Sequence, residues 1–212
     1  NVRTTPPKRR EREYMLYSFI FLRHGRSLAD DEKVYEGRYD SPLTNIGIDQ
    51  ASNTARLLVD KNIDHIITSP LKRAKDTAKS IGTIINAPVE ELALLIERDN
   101  GILAGMKYEE AQEKYPEPLH KSIFRKFPQE SGESIIDLEK RALSCISNLI
   151  NRDPKKYLII SHGNILNAIV RCILNMPRQI NVVFRFKDNG YIEMDYNKEK
   201  DIWIFKSMKE GF

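Results

Sequence analysis

The feature that most constrains the fold of this chain is an alternation of short apolar runs with longer segments of helical period. Phe19–Leu22 reads as a first strand. Ile48, Ala51, Ala55, Leu58 and Val59 then recur at helical spacing after Thr44, a helix N-cap. Ile63–Thr68 is a second strand. Ser69-Pro70 follows as an N-cap and first-turn proline, ahead of a helix with Leu71, Ala74, Ala78, Ile81 and Ile85 on one face. Pro88–Leu95 holds another strand. Ile135, Leu138, Ala142, Cys145 and Leu149 mark a long helix, Tyr157–Ser161 a strand and Asn164–Leu174 a helix. Val182–Phe186, Tyr191–Tyr196 and Ile202–Phe205 close the chain as strands, with a turn at Lys187-Asp188-Asn189-Gly190 between the first two. Strand–helix alternation implies an α/β fold: a three-layer sandwich with a mostly parallel central sheet.

From about Asp99 to Gly132 this pattern loosens. Pro116, Pro118 and Pro128 punctuate it, and Lys107–Lys114 reads as one short helix. The stretch is expected to be a small helical and irregular insertion lying over the core. Residues 15–212 then form a single domain, with the insertion at about 99–132. The first 14 residues differ in character. They carry five basic and two acidic residues and two prolines, against a formal net charge of +4 for the whole chain. Such a segment buries little and is expected to be a flexible basic extension, with Met15 as a plausible native start and the extension a possible tag. The rest of the chain is nearly neutral, so no nucleic acid is expected as a partner. No apolar run reaches the length of a membrane span. Two cysteines, Cys145 and Cys172, are too few for a disulfide framework and suggest a cytoplasmic setting. No Cys/His spacing suggests a metal.

The chemistry gathers at strand ends. Of four histidines, His24 follows the first strand, in Arg23-His24-Gly25-Arg26-Ser27, and His162 follows the Tyr157–Ser161 strand, in His162-Gly163-Asn164. Open α/β sheets bind ligands beyond the carboxyl ends of their strands, so both histidines are candidates for one cleft. Glycines after each let a ligand approach closely, and the helix after His162 offers N–H groups to an anion. Arg73 lies beyond a third strand end, and Arg23 with Arg73 would clamp a phosphate through planar, charge-assisted bonds. Glu97 brings a carboxylate. A neutral imidazole, two guanidinium groups and an acid are what phosphoryl transfer through a histidine nucleophile requires. Ser27 is placed either to bond the phosphate or to cap a turn. His65, inside a strand, and His120, in a proline-rich loop, are expected to be structural.

These residues stand in a longer pattern. Leu22-Arg23-His24-Gly25 resembles the RHG signature of the histidine phosphatase superfamily, which includes the cofactor-dependent phosphoglycerate mutases. Glu36 to Thr44 with Gly47 and Gln50-Ala51 resembles the stretch after the nucleophile. Ser69-Pro70-Leu71 with Arg73-Ala74 and Thr77-Ala78 is similar to the second arginine motif, and Glu97-Arg98 with Gly101 and Gly105 to the acid-bearing loop. Gly132-Glu133-Ser134 with Asp137 and Arg141, and then Ile160 to Asn164, complete the order over residues 19 to about 174. The resemblance implies that His24 is the nucleophile and that Arg23, Arg73 and His162 bind the phosphate. It implies that Glu97 donates a proton to the leaving group and then activates water, and that no metal or cofactor takes part. Ser27, Gly163 and Asn164 are further candidates for substrate binding. One departure stands out: the family often has Asn where this chain has Asp30, and a carboxylate beside phosphate needs a partner. Asp30 is expected either to point away or to meet Arg26 or Arg38.

The expected activity is that of a metal-independent phosphomonoester hydrolase acting on a small-molecule phosphate ester, through a phosphohistidine. A phosphoglycerate mutase is the alternative within enzymes. It is disfavoured because Lys107, Lys114, Lys121, Arg125 and Lys126 form no arginine pair for a second anion. A non-catalytic phosphate-binding module is the alternative of another class. Phe124, Arg125, Lys126 and Phe127 would either face the substrate or anchor the insertion. The sequence assigns neither a particular substrate nor an oligomeric state.

Overall fold

The structure is a computed structural model describing residues 16–116, 131–179 and 182–212. The 1–14 extension, His120 and the Phe124–Phe127 group lie outside the described residues. The central sheet has six strands. In spatial order they are β3 (Val89–Glu91), β2 (His65–Thr68), β4 (Lys156–Ser161), β1 (Leu16–Arg23), β5 (Tyr191–Asn197) and β6 (Ile202–Lys209). The first four run parallel, and β5 and β6 add an antiparallel edge. The α/β expectation holds, with a mixed sheet.

Layering follows from the alternation of side chains along the middle strands. Phe19 and Phe21 of β1, with Tyr157 and Ile159 of β4, face the core beneath α5 (Ile135–Ile150) and α6 (Gly163–Ile173). Ile20, Leu22, Leu158 and Ile160 face the opposite core, under α2 (Asn45–Leu58) and α3 (Lys72–Ile85). Phe19, Ile20, Phe21 and Leu22 are fully buried. At about 1.5–3 kcal/mol for each such side chain, β1 anchors both layers. Thr44 caps α2 as expected, its hydroxyl accepting from the Gly47 N–H. Cys145 packs in the first core, where burial pushes its thiol up to about 12.

Two sequence expectations are corrected. The Ser69-Pro70 start is displaced: α3 begins at Lys72 with Leu71 at its cap position, and the Ser69 hydroxyl accepts from the Leu71 N–H. Val182–Phe186 is not a strand. Its backbone is engaged by side chains instead of a ladder. Asn167 accepts from the Phe184 N–H, Arg171 donates to Val182 O and Arg23 to Phe186 O.

Candidate active site

In the β1–β4 ladder Arg23 pairs with Ser161, so the residues that follow, His24 and His162, leave the sheet side by side. Their ring centroids lie 5.0 Å apart. β2 ends one strand over, leading into Ser69 and α3, which carries Arg73. The sheet thus brings His24, His162 and Arg73 to one edge.

Nδ1 of His24 bonds its neighbour's carbonyl, Gly25 O, at 2.7 Å. A carbonyl only accepts, so Nδ1 carries the proton and Nε2 keeps its lone pair. That lone pair accepts from Arg73 Nε–H at 3.2 Å. Burial first, then the charges of Arg73 and Arg23, hold the His24 pKa well below 6.5. The ring is therefore a neutral imidazole with its lone pair directed at a guanidinium. Close backbone approach makes this possible. A Cβ on Gly25 would meet Gly47 O at 2.6 Å, and one on Gly47 would meet Arg26 O at 2.2 Å. Both positions exclude any larger residue.

Arg73 is fully buried. Besides His24 it donates to Tyr39 O at 2.9 Å and Gly37 O at 2.8 Å, so it also fastens the loop before α2. Two of its five N–H groups remain beyond these bonds. Arg23 donates to Phe186 O at 3.1 Å and lies 3.4 Å from Asp188 and 3.7 Å from Asp30. Asp30 thus meets Arg23. The expected partners are engaged elsewhere, Arg26 by Asp31 and Arg38 by Asp99. Of the two roles posed for Ser27, the structure shows the cap. Ser27 and Asp30 form a capping box at the start of α1 (Leu28–Glu32), and Ser27 is buried.

Glu97 sits on the amino end of α6. Oε1 accepts from the N–H groups of Arg98 (2.6 Å) and Ile165 (3.2 Å), and Oε2 from the Asn164 N–H (3.1 Å) and its amide (3.4 Å). The helix dipole favours an anion there. Asn164 therefore meets Glu97, while Gly163 faces open space. Arg141 holds the loop carrying Glu97. It donates to the carbonyls of Leu94, Ile96 and Glu97 and forks onto both oxygens of Glu133. His162 shares Nε2 with Ser69 Oγ at 2.7 Å. Its buried Nδ1 has no hydrogen-bond partner among the described residues. Burial and Arg73 also hold its pKa well below 6.5. His65 lies apart, 3.4 Å from Glu90.

One residue of the site was quoted only as part of a motif. Glu36 Oε2 lies 3.9 Å from His24 Nε2, and its Oε1 lies 3.5 Å from Arg73 Nε and 2.5 Å from Ser27 Oγ. Burial raises its pKa against the pull of Arg73. The available signal was its position before Gly37, whose positive φ of 52° and carbonyl bond to Arg73 bend the loop back onto the site.

Arg23, His24, Glu36, Glu97 and Gly163 line one cleft of about 560 Å³. Its outer wall includes Tyr35 and Tyr108, which meet edge to face at 4.8 Å, with Asn100 and Gln112. Asn100 and Gln112 come from the expected insertion, which thus contributes to the wall. Among the described residues no helix is long and apolar enough to cross a membrane, and no group of three or more His, Cys, Asp or Glu is arranged to hold a metal.

This arrangement has relatives. The chain is 32% identical over 186 residues to an uncharacterized phosphatase, PhoE, of Bacillus subtilis, covering 83% of this chain and 92% of that one. It is 26% identical over 194 residues to a probable phosphoglycerate mutase, GpmB, of Yersinia pestis, covering 88% and 89%. The fold superposes on a putative alpha-ribazole-5'-P phosphatase from Escherichia coli with a TM-score of 0.81 at 22% identity, covering 91% and 96%. The profile of the histidine phosphatase superfamily, branch 1, matches residues 19–209, and the chain belongs to that family.

Proposed function

We propose that the protein is a metal-independent phosphomonoester hydrolase that acts on a small phosphorylated metabolite through a phosphohistidine at His24. The observation that carries this reading is the buried, neutral imidazole of His24, whose unprotonated Nε2 accepts from Arg73 Nε–H at 3.2 Å at the cleft, a bond that an entering phosphoryl group displaces. Nε2 attacks phosphorus, and the P–O bond to the alcohol breaks as the N–P bond forms. Glu97, whose oxygens only accept in the free site, takes up a proton as the ester enters, from solvent or from a monoanionic phosphate, and gives it to the leaving oxygen; it then takes one from the water that cleaves the N–P bond, restoring His24 and releasing phosphate. Arg23, the two remaining N–H groups of Arg73 and the unpaired Nδ1 of His162 hold the phosphoryl oxygens. Gly163 and Asn164 flank the leaving group, and Ser27 acts through Glu36.

The mutase relative supports a second reading, in which a bound substrate and not water receives the phosphoryl group. Among the described residues, Arg23 and Arg185 are the only arginines or lysines lining the cleft, against three acids, Asp30, Glu36 and Glu97. A phosphoglycerate needs a second anion site, so hydrolysis is the better-supported outcome. The reading includes residues 15–212 as one domain with its insertion over the cleft. It also includes a cytoplasmic setting, supported by the free thiols of Cys145 and Cys172. The test is hydrolysis of an aryl phosphate in excess EDTA, wild type beside His24→Ala. Activity is expected to survive chelation and to vanish in the variant. Activity retained by the variant would refute the phosphohistidine route, and activity lost to EDTA would refute metal independence.

A further inference from the structure

We propose that Glu36 binds the transferring phosphoryl group as a neutral carboxylic acid, donating its proton to an equatorial oxygen, and that its ionisation closes the site to phosphate-ester dianions. The inference rests on His24 as the nucleophile.

Position decides the role. A nucleophile ready to attack stands about 3–3.5 Å from its target atom, and in-line displacement puts the leaving oxygen on the far side of that atom. The leaving oxygen is then more than about 4.5 Å from Nε2, and a proton donor to it is farther still. Glu36 Oε2 is 3.9 Å from Nε2, which is beside the phosphorus and not behind it. Glu36 therefore meets the equatorial oxygens and leaves the proton donation to Glu97.

The protons around Ser27 decide the charge. Ser27 Oγ lies 2.9 Å from Asp30 Oδ2 and 2.5 Å from Glu36 Oε1. One hydroxyl has one proton and satisfies one of these contacts. Both contacts are hydrogen bonds at once only if a carboxyl group also carries a proton. Asp30 Oδ2 also accepts the Ser27 N–H at 2.9 Å, and Asp30 Oδ1 faces Arg23, so the added proton has its place on Glu36. Glu36 is the more enclosed, with 16% of its side chain exposed against 27% for Asp30.

The groups facing Glu36 are Arg73 from α3, Asp30 from α1, Arg23 and His24 at the end of β1, and Tyr108 from α4 (Tyr108–Lys114). Burial is the largest influence and favours the acid, as does Asp30, against Arg73, a hydroxyl donated by Ser27 and Arg23, which favour the ion. When a phosphoryl group enters, Ser27 turns its hydroxyl to Glu36 Oε1, and the carboxyl proton stands on Oε2 toward the ligand. No proton is gained or lost, and Asp30 keeps the Ser27 N–H. An ionised Glu36 would instead set a negative charge against the phosphoryl oxygens and must take up a proton for binding to proceed.

The test is the pH profile of kcat/KM for phenyl phosphate, from about pH 5 to about pH 9, for wild type and Glu36→Gln. The amide donates at every pH, and ionisation of the substrate is common to both proteins. The ratio of variant to wild type is expected to rise by about tenfold per pH unit on the alkaline side. A ratio independent of pH would overturn the proposal. A second measurement does not depend on the variant: titration calorimetry of the wild type with tungstate, a dianion across this range, in two buffers of different ionisation heat. Uptake is expected to grow toward one proton as pH rises. No uptake at any pH would overturn the proposal. His24→Ala assayed in parallel separates the two readings, because turnover in that variant removes the nucleophile while the tungstate result still judges Glu36.

Discussion

Replacing Arg141 with Met should test whether the Glu97 loop depends on a single guanidinium. The Arg141 side chain is 13% exposed and that of Glu133 is 10% exposed. The Glu133 fork is closed at 2.8 and 2.7 Å, and the carbonyl bonds to Leu94 and Ile96 measure 2.9 and 2.6 Å. Methionine keeps most of the stem's packing but leaves Glu133 without its main counter-charge and two carbonyls without donors. Breaking a buried pair by removing one partner costs about 3–5 kcal/mol. The residual exposure places this one at the lower end, about 3 kcal/mol. With a urea slope of about 2 kcal/mol/M for a chain of this size, the midpoint should fall by about 1.5 M. Because Arg141 also donates to Glu97 O, kcat for an aryl phosphate should fall more than KM rises, and Arg141→Lys should recover only part of either loss. A midpoint within about 0.5 M of wild type would refute the argument.

Gly47→Ala should be far more damaging than a surface Gly→Ala, by about 3 kcal/mol or more, since the new methyl would meet Arg26 O at 2.2 Å. Thermal unfolding checks it, and a normal Tm would show that the α2 end yields freely. The two buried histidines should make stability fall with acid. Both have folded pKa values below their unfolded 6.5, so the unfolded chain binds the extra protons as pH drops below about 6.5. Their joint slope reaches about 2.7 kcal/mol per pH unit, and the raised Glu36 contributes with the opposite sign. His162→Gln should remove about half the histidine slope in urea midpoints taken between about pH 6.5 and pH 5, and an unchanged slope would refute the assignment.

The strand ends were legible because apolar runs stop abruptly at charged or glycine-bearing residues, and α/β topology then dictates where such ends converge. His24, His162 and Arg73 were found this way. Glu97 was a candidate by its place after an apolar run, but its role needed the resemblance, because the acid-bearing loop has no periodicity and is held by Arg141, 44 residues away in sequence. Val182–Phe186 reads as a strand by composition, yet its backbone partners are Asn167, Arg171 and Arg23, from α6 and the end of β1. Such side-chain partners leave no mark on a local pattern. Glu36 was passed over for a related reason. A glutamate in a loop is ordinarily solvated, and only tertiary burial against Arg73 makes it a neighbour of His24.

The pairing of Arg23 with Ser161 ties the two histidines to the core in a particular way. Sliding β1 by one residue along β4 would separate His24 from His162, and it would also exchange Phe19 and Phe21 for Ile20 and Leu22 between the two layers. The error that spoils the reaction centre is thus also one the folded chain will not tolerate. Fidelity of the centre is inherited from hydrophobic sorting and needs no separate safeguard. The loops that wall the cleft are under no such tie, so they are free to change what the protein recognises while the machinery beneath stays in register.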